Sequence, residues 1–69
     1  MKFVKLDSAI SEYMRENGMT QAEMAERLGM AENTLSWKRR GVREFSLGEA
    51  AKVADITGKS LDYLVSVVE

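Results

Sequence analysis

Apolar residues recur along this 69-residue chain at intervals of three and four positions, which places them on one face of an α-helix. The first series consists of Leu6, Ala9, Ile10, Tyr13 and Met14. Asp7 or Ser8 can cap the start of this helix, and Asn17 with Gly18 can end it. The pattern therefore predicts an amphipathic first helix.

A capping box marks the start of a second helix. The hydroxyl of Thr20 can accept a hydrogen bond from the amide of Glu23, and the carboxylate of Glu23 can accept one from the amide of Thr20. The apolar face of this helix consists of Met24, Ala25 and Leu28. Gly29 ends it, because glycine adopts the left-handed conformation of a helix terminus without steric cost.

A third helix follows almost at once, from about Ala31 to Arg39, with Leu35 as its clearest apolar anchor. Two short helices joined by a tight glycine turn form a helix-turn-helix, and the second of them can lie in the major groove of DNA. The stretch of residues 20–40 is therefore the motif around which we expect the chain to be organised.

A second capping box, formed by Ser46 and Glu49, predicts a fourth helix after a loop over residues 41–45. Phe45 directly precedes the cap and can act as a hydrophobic staple on this helix. Gly58 ends the helix. Its predicted apolar face consists of Leu47, Ala50, Ala51, Val53 and Ala54.

The two ends of the chain leave alternatives open. Ser60 can cap a fifth helix, in which Asp62 favours the positive end of the helix dipole. Its apolar face would be Leu61, Leu64, Val65 and Val68. The β-branched tail (Val65, Val67, Val68) is also compatible with a strand, and we favour the helix. Residues 1–5 have no clear period, so Phe3 with Val4 could form a short strand, an arm or a clamp on the core.

Composition narrows the classes of protein that fit this pattern. The length predicts one small domain, residues 1–69, with a marginal core to which dimerisation or a ligand can add stability. The sequence has no cysteine and no histidine, which removes disulfides, thiolate zinc sites and histidine-based catalysis. Because nothing resembles a signal peptide or a membrane span, we expect a cytoplasmic protein with no membrane partner.

Charge is distributed unevenly. The net charge of −1 argues mildly against a nucleic-acid partner. However, residues 33–43 contain four basic residues and no acidic one, a local charge of +4, and the remainder of the chain carries −5. A basic patch on an acidic body can guide docking to DNA while limiting non-specific binding. Cations also suit the C-terminal end of a helix, but this run lies where a DNA-facing helix would end.

The joint spacing of these features resembles the Cro/repressor-type (XRE-like) helix-turn-helix family. The matching residues are Gln21 at the start of the first motif helix, Ala25 where the helices cross, Gly29 in the turn and Leu35 in the recognition helix. The match extends from Ile10 and Tyr13 to the closing SLDYLV. The resemblance implies an all-α fold, a compact five-helix lambda-repressor-like DNA-binding domain.

This chain departs from the family pattern at four places. Met14 stands where the family often has an arginine, so any ion pair made by that arginine is expected to be absent. Ala31 replaces the usual Ser or Thr that caps the recognition helix, which removes a cap worth about 1 kcal/mol. The proline that the family often has near residue 45 is missing. Trp37 follows Leu35 by two residues, where related sequences often have an interval of three.

Within the motif, exposed residues of the third helix are candidates for contact with base edges. Asparagine can pair with adenine, glutamate can accept from cytosine, serine can donate or accept, and an indole can pack on a thymine methyl. The predicted base contacts are Glu32, Asn33, Ser36 and Trp37. The predicted backbone contacts are Thr20, Gln21, Lys38, Arg39, Arg40 and Arg43.

Two registers of the third helix compete. In the first, Leu35 is buried and Trp37, about 200° further round an ideal helix, faces DNA, partly covered by its own helix end and the following loop. In the second, Trp37 packs inward on a face shared with Met30 and Thr34, and Leu35 moves to the flank. We favour the first, because Thr34 would be a poor central anchor.

Three functions are compared. The favoured one is a sequence-specific transcriptional regulator, a phage-type or bacterial repressor that binds a near-palindromic operator as a homodimer and so associates with the nucleoid. The alternative is a protein-interaction module on the same fold, such as an antitoxin, an anti-repressor or a dimerisation unit. An enzyme is not expected, because no nucleophile–base pair or phosphate loop occurs. We also expect no metal, cofactor or small-molecule ligand.

Overall fold

Five α-helices follow one another in a computed structural model, which describes residues 3–66 of the chain. They are α1 (Val4–Asn17), α2 (Gln21–Leu28), α3 (Glu32–Arg39), α4 (Leu47–Thr57) and α5 (Leu61–Val65). No strand occurs within the described range. The prediction of an all-α, five-helix fold that contains a helix-turn-helix, formed by α2 and α3, is confirmed.

Both predicted capping boxes form. The Glu23 amide donates to Thr20 Oγ1 at 3.2 Å, and the Thr20 amide donates to Glu23 Oε1 at 2.8 Å. At the start of α4, Ser46 and Glu49 make the same reciprocal pair at 3.1 and 2.8 Å. Gly29 ends α2 in the left-handed conformation, with φ of 75°. These ends agree with the sequence because each depends on residues within one helical turn.

The first helix begins earlier than predicted. Phe3 is its N-cap residue, without a side-chain cap, so neither Asp7 nor Ser8 caps the helix. Asp7 instead lies in the helix and pairs with Arg39 of α3. Of the alternatives for residues 3 and 4, the clamp is observed: Phe3 packs against the core, whereas Val4 is the first residue of α1 and half exposed.

The buried face of α4 differs from the predicted one. Ala50 and Val53 are fully buried, but Leu47 is 66% exposed and Ala51 also faces solvent. Successive helical residues are about 100° apart, so a face centred between Ala50 and Val53 turns Ala51 outward. The packing partners of α4, which are α1, α2 and α5, select this face.

The fifth helix is short. Ser60 caps it as predicted, its hydroxyl accepting from the Tyr63 amide at 3.1 Å, and Leu64 is fully buried. The helix ends at Val65, and Ser66 has extended backbone angles. Val67 and Val68 lie outside the described residues, so the choice between helix and strand for them stays a prediction.

One core joins the helices. Its members are Leu6, Ala9, Ile10, Met24, Ala25, Leu28, Leu35, Phe45, Ala50, Val53 and Leu64. The helix α1 packs against α4 and α5, and α2 packs against α3 and α4. The second motif helix, α3, contributes only Leu35 to the buried set. Most of its side chains are therefore left at or near the surface.

Candidate nucleic-acid interface

The rotation of α3 is set by Leu35, which is completely buried. With this anchor inward, Glu32 and Asn33 are exposed. Ser36 and Trp37 are partly exposed. A helix places residues at i, i+3, i+4 and i+7 on one side, so the exposed face runs from Asn33 through Ser36 and Trp37 to Arg40. Three of the four residues predicted to contact bases, Asn33, Ser36 and Trp37, thus share one face, and Glu32 is exposed in the first turn of the same helix.

The structure has the register in which Leu35 is inside. Trp37 lies outside the core cluster and is partly exposed. The guanidinium carbon of Arg43 lies 5.4 Å from the centroid of the indole ring, within the range of a cation–π interaction. The amides of Val42 and Arg43 donate to the Trp37 carbonyl at 2.9 and 3.3 Å. The following loop therefore covers part of the indole and leaves the rest accessible.

The basic patch, defined as Lys38, Arg39, Arg40 and Arg43, divides into two kinds of residue. Lys38 forms an ion pair with Glu49 of α4, and Arg39 forms one with Asp7 of α1. Arg40 and Arg43 are exposed. Half of the local positive charge is therefore balanced by carboxylates that are distant in sequence, and Arg40 and Arg43 carry the accessible part.

Arg39 contacts four side chains from two other helices. Its Nε donates to Asp7 Oδ1 at 2.8 Å, and its Nη2 donates to Ser11 Oγ at 2.6 Å. Its Nη1 donates to Gln21 Oε1 at 3.0 Å and approaches Met14 Sδ at 3.7 Å. The guanidinium thus joins the end of α3 to α1 and to the first residue of α2.

An ion pair made from position 14 was expected to be absent, and Met14 contributes only its sulfur to this cluster. The absence of an arginine at that position does not leave the site without an ion pair, because Arg39 supplies a guanidinium from α3 instead. Asp7 and Ser11 were not predicted as members of the site. A signal was present: Asp7, Ser11 and Met14 fall at i, i+4 and i+7 on one side of the first helix.

Thr20 and Gln21 lie at the N-terminal end of α2, where backbone amides favour an anion. The hydroxyl oxygen of Thr20 accepts the capping bond, so its O–H can still donate to a phosphate. Gln21 is partly buried, and its carbonyl oxygen is occupied by Arg39. The amide nitrogen of Gln21 is thereby turned away from the guanidinium, which has no acceptor.

Two glutamates in the capping boxes have altered acidity. Burial would raise the pKa of Glu49, but hydrogen bonds from the Lys38 ammonium and the Ser46 amide outweigh it and hold the pKa below its usual 4.5. The hydrogen bond from the Thr20 amide to the carboxylate is the main cause that lowers the pKa of Glu23. Both carboxylates are therefore ionised at neutral pH, and Lys38 remains paired.

A cleft of about 340 Å³ lies beside the C-terminal end of α3. Its lining residues are Phe3, Asp7, Lys38, Arg39, Arg40, Gly41, Val42, Arg43, Glu44 and Phe45. Within residues 3–66, no group of three or more acidic residues is arranged to hold a metal ion. None of the helices in this range is both long and apolar enough to cross a membrane.

Comparison with known proteins identifies the family of the chain. A family model described as helix-turn-helix matches residues 10–64, from the middle of α1 to the buried Leu64 of α5. Searches of curated proteins and of solved structures gave no match. The matched span covers more than half of the chain and includes the whole of α2, α3 and α4, whose geometry is described above. The chain belongs to the Cro/repressor-type, XRE-like family of helix-turn-helix domains.

Proposed function

We propose that this protein is a sequence-specific DNA-binding regulator that represses transcription by occupying its operator as a homodimer. The observation that carries the proposal is the outer face of α3, where Asn33, Trp37 and Arg40 follow one another at i, i+4 and i+7. Leu35 on the opposite side anchors the helix to the core, so this face is the one available to a groove.

Base recognition is assigned to the four outer residues of α3. Asn33 is fully exposed near the start of the helix, and its amide can donate to N7 and accept from N6 of adenine. Glu32 and Ser36 add an acceptor and a hydroxyl on the flanks of the same face. Trp37 offers an indole edge, held by Arg43, that can pack on a thymine methyl.

Phosphate contacts are assigned first to Arg40 and Arg43, because their charges are exposed beside this face. Thr20 and Gln21 supply a hydroxyl and an amide at the N-terminus of α2. Lys38 and Arg39 were also expected to touch the backbone. Since both are partly buried and paired with carboxylates, they contribute to the shape of the surface more than to its free charge.

The proposed dimer forms through residues 61–68 together with α4. Leu47 of α4 and Tyr63 of α5 support this assignment, because both are large and exposed. A single module grips few base pairs, and a twofold dimer would place two α3 helices one turn of DNA apart. Sedimentation that stays monomeric at high concentration, even with operator DNA, would contradict the dimer.

Repression in this scheme requires no reaction by the protein. A dimer on its operator in the nucleoid excludes polymerase from the same DNA, and neither cofactor nor metal takes part. The sequence of the bound DNA is the only information that the protein has to read. Enzymatic roles are accordingly not proposed.

Selection of bound sequences from a random duplex pool tests this proposal. We expect enrichment of one near-palindromic sequence whose half-sites are about 10 base pairs apart, centre to centre. A pool that shows no enrichment would contradict sequence-specific binding. Enrichment of a single asymmetric half-site would retain the DNA-binding role and reject the dimer.

The second candidate is a protein-interaction module on the same fold. It is favoured by one observation, the internal pairing of Lys38 and Arg39, which reduces the positive charge available to DNA. A protein interface need not release counterions, whereas phosphate contacts must. Binding that is insensitive to salt would therefore favour this candidate.

A further inference from the structure

We propose that Arg39 acts as a positioning residue that orients the side-chain amide of Gln21, and that it does not itself contact phosphate. This inference rests on the proposed DNA-binding function and goes beyond it by assigning a different role to one member of the basic patch. It follows from how the guanidinium of Arg39 is used in the structure.

All three nitrogens of the Arg39 guanidinium already have partners within the chain. Nε, Nη1 and Nη2 donate to Asp7, Gln21 and Ser11 respectively, at 2.8, 3.0 and 2.6 Å. The side chain is only 21% exposed. These bonds use three of the five N–H donors of the guanidinium, and the other two are carried by Nη1 and Nη2 of a side chain that is mostly covered. The planar guanidinium of Arg39 therefore holds α1, α2 and α3 together where they meet.

The Arg39 guanidinium also determines which way the Gln21 amide points. A guanidinium has donors and no acceptor, so only the oxygen of Gln21 can face it. The NH₂ group of Gln21 must then point away from Arg39, as a donor next to the N-terminal amides of α2. An amide that is already turned this way loses less freedom when it binds a phosphate than one that rotates freely.

Asp7 completes the arrangement by holding the guanidinium in place. Asp7 Oδ1 accepts from Nε, the nitrogen nearest the stem of the arginine, and the Asp7 side chain is about one-third exposed. The residue is 32 positions away from Arg39 in sequence. Removing Asp7 would therefore free Arg39. DNA binding should then weaken if Arg39 positions Gln21, and strengthen if the freed Arg39 contacts phosphate.

The first experiment measures DNA affinity of Asp7→Ala against the matched control Asp55→Ala, which removes an exposed acidic residue from α4. If Arg39 positions Gln21, Asp7→Ala weakens binding about three- to tenfold, the range for one lost hydrogen bond. Asp55→Ala leaves affinity unchanged or slightly tighter, because it only removes a negative charge. Tighter binding by Asp7→Ala than by Asp55→Ala would overturn the proposal, since a freed Arg39 would then be contacting phosphate.

Arg39→Lys provides a second variant that keeps the charge. A lysine can replace an arginine as a point charge on phosphate but cannot make three directed bonds in one plane. We therefore expect Arg39→Lys to weaken binding about as much as Asp7→Ala, with an unchanged slope of affinity against salt. Arg40→Lys, at an assigned phosphate contact, should retain most of the affinity. Full affinity in Arg39→Lys would contradict the positioning role.

A measurement without DNA keeps this inference separate from the proposed function. Relaxation of the side-chain ¹⁵N amide should show Gln21 as ordered in the wild-type protein, with the exposed amide of Asn33 as the mobile reference. In Asp7→Ala and Arg39→Lys, the Gln21 amide should approach the mobility of Asn33. If Gln21 is already as mobile as Asn33 in the wild type, the proposal is wrong. If Gln21 is ordered but no DNA is bound, only the proposed function fails.

Discussion

Asn33 and Arg40 lie on the same exposed face of α3, and their side chains are suited to different parts of DNA. Asn33→Ala should cost about 1–3 kcal/mol on the selected operator and relax the preference at one base position. Arg40→Ala should weaken all sequences similarly and make the log–log salt slope shallower by about 1.8, the value for two phosphates, one for each protomer of the proposed dimer. Competition titrations with operator and random duplexes measure both effects. Equal losses on both duplexes for both variants would show that the two roles are wrongly assigned.

Trp37 is the only tryptophan, so its fluorescence reports on the proposed interface directly. Because the indole is partly exposed under Arg43, we expect emission intermediate between buried and fully exposed indole, with measurable quenching by iodide. Operator DNA should protect it. Arg43→Ala should increase the iodide quenching of free protein by uncovering the ring. A blue-shifted emission that resists iodide and ignores DNA would place Trp37 in the core.

At the scale of single residues, the burial or exposure of a side chain was predicted better than its interaction partner. Leu35 could be placed inside from its position in the motif, and Trp37 followed from that choice by helix geometry. The partners of Arg39 and Lys38 could not be inferred, because Asp7 and Glu49 are 32 and 11 residues away. The sequence shows four cations in a cluster. Only the packing of helices decides which of them are neutralised.

At the scale of the helices, replacement of two different glycines by alanine should have opposite effects on the stability of the fold. Gly29 ends α2 with φ of 75°, and a Cβ there would meet only Lys52 Nζ at 3.5 Å, which is an ordinary contact. Gly29→Ala should therefore destabilise the fold by about 1–2 kcal/mol through backbone strain alone.

Gly48 lies in the first turn of α4, and a Cβ there would have Ser46 Oγ at 3.9 Å as its nearest neighbour. Gly48→Ala should stabilise the fold by about 0.5–1 kcal/mol, because alanine loses less freedom on entering a helix. Urea unfolding of the two variants measures both values. A stabilising effect of Gly29→Ala would contradict the left-handed helix end.

The cap of α4 predicts a dependence of stability on pH. The pKa of Glu49 is lowered in the folded protein by Lys38 and Ser46, so its contribution to stability is complete above its usual pKa of 4.5. That contribution is lost as the pH falls through the lower folded-state value. Wild type should exceed Glu49→Gln in free energy of unfolding by about 1 kcal/mol at pH 7. The difference should shrink as the pH falls below 4.5.

Comparison of the two proteins isolates Glu49, because Glu23 also has a lowered pKa and titrates in both. A difference that is constant from pH 7 to acid would show that ionised Glu49 is not the source of the stability. Urea unfolding at a series of pH values provides the measurement.

Helix ends were predictable where they depend on a few adjacent residues. Both capping boxes and the Gly29 terminus require only residues within one turn of each other. The start of α1 and the buried face of α4 were not predictable in the same way. The first depends on Phe3 packing on the core, and the second on which helices lie beside Ala50 and Val53. Spacing limits the possible faces, and tertiary contacts choose among them.

For the whole molecule, charge is the property that packing changes most. The sequence gives a cluster of +4 on an acidic chain, whereas two of those charges are balanced by Asp7 and Glu49 in the folded protein. The accessible pair, Arg40 and Arg43, lies at the end of the exposed face of α3. A dimer would present about four such arginines, so we expect a log–log salt slope of about −3.6 for DNA binding.

The affinity for operator and for scrambled duplex of equal length, measured between 50 and 200 mM salt, tests the central proposal of sequence-specific DNA binding most directly. We expect the selected operator to bind at least about 10³-fold more tightly than the scrambled duplex. Both affinities should decline as salt rises, the operator with the slope of about −3.6 set by the exposed arginines. Equal affinity for the two duplexes, or operator binding that does not change with salt, would contradict the account.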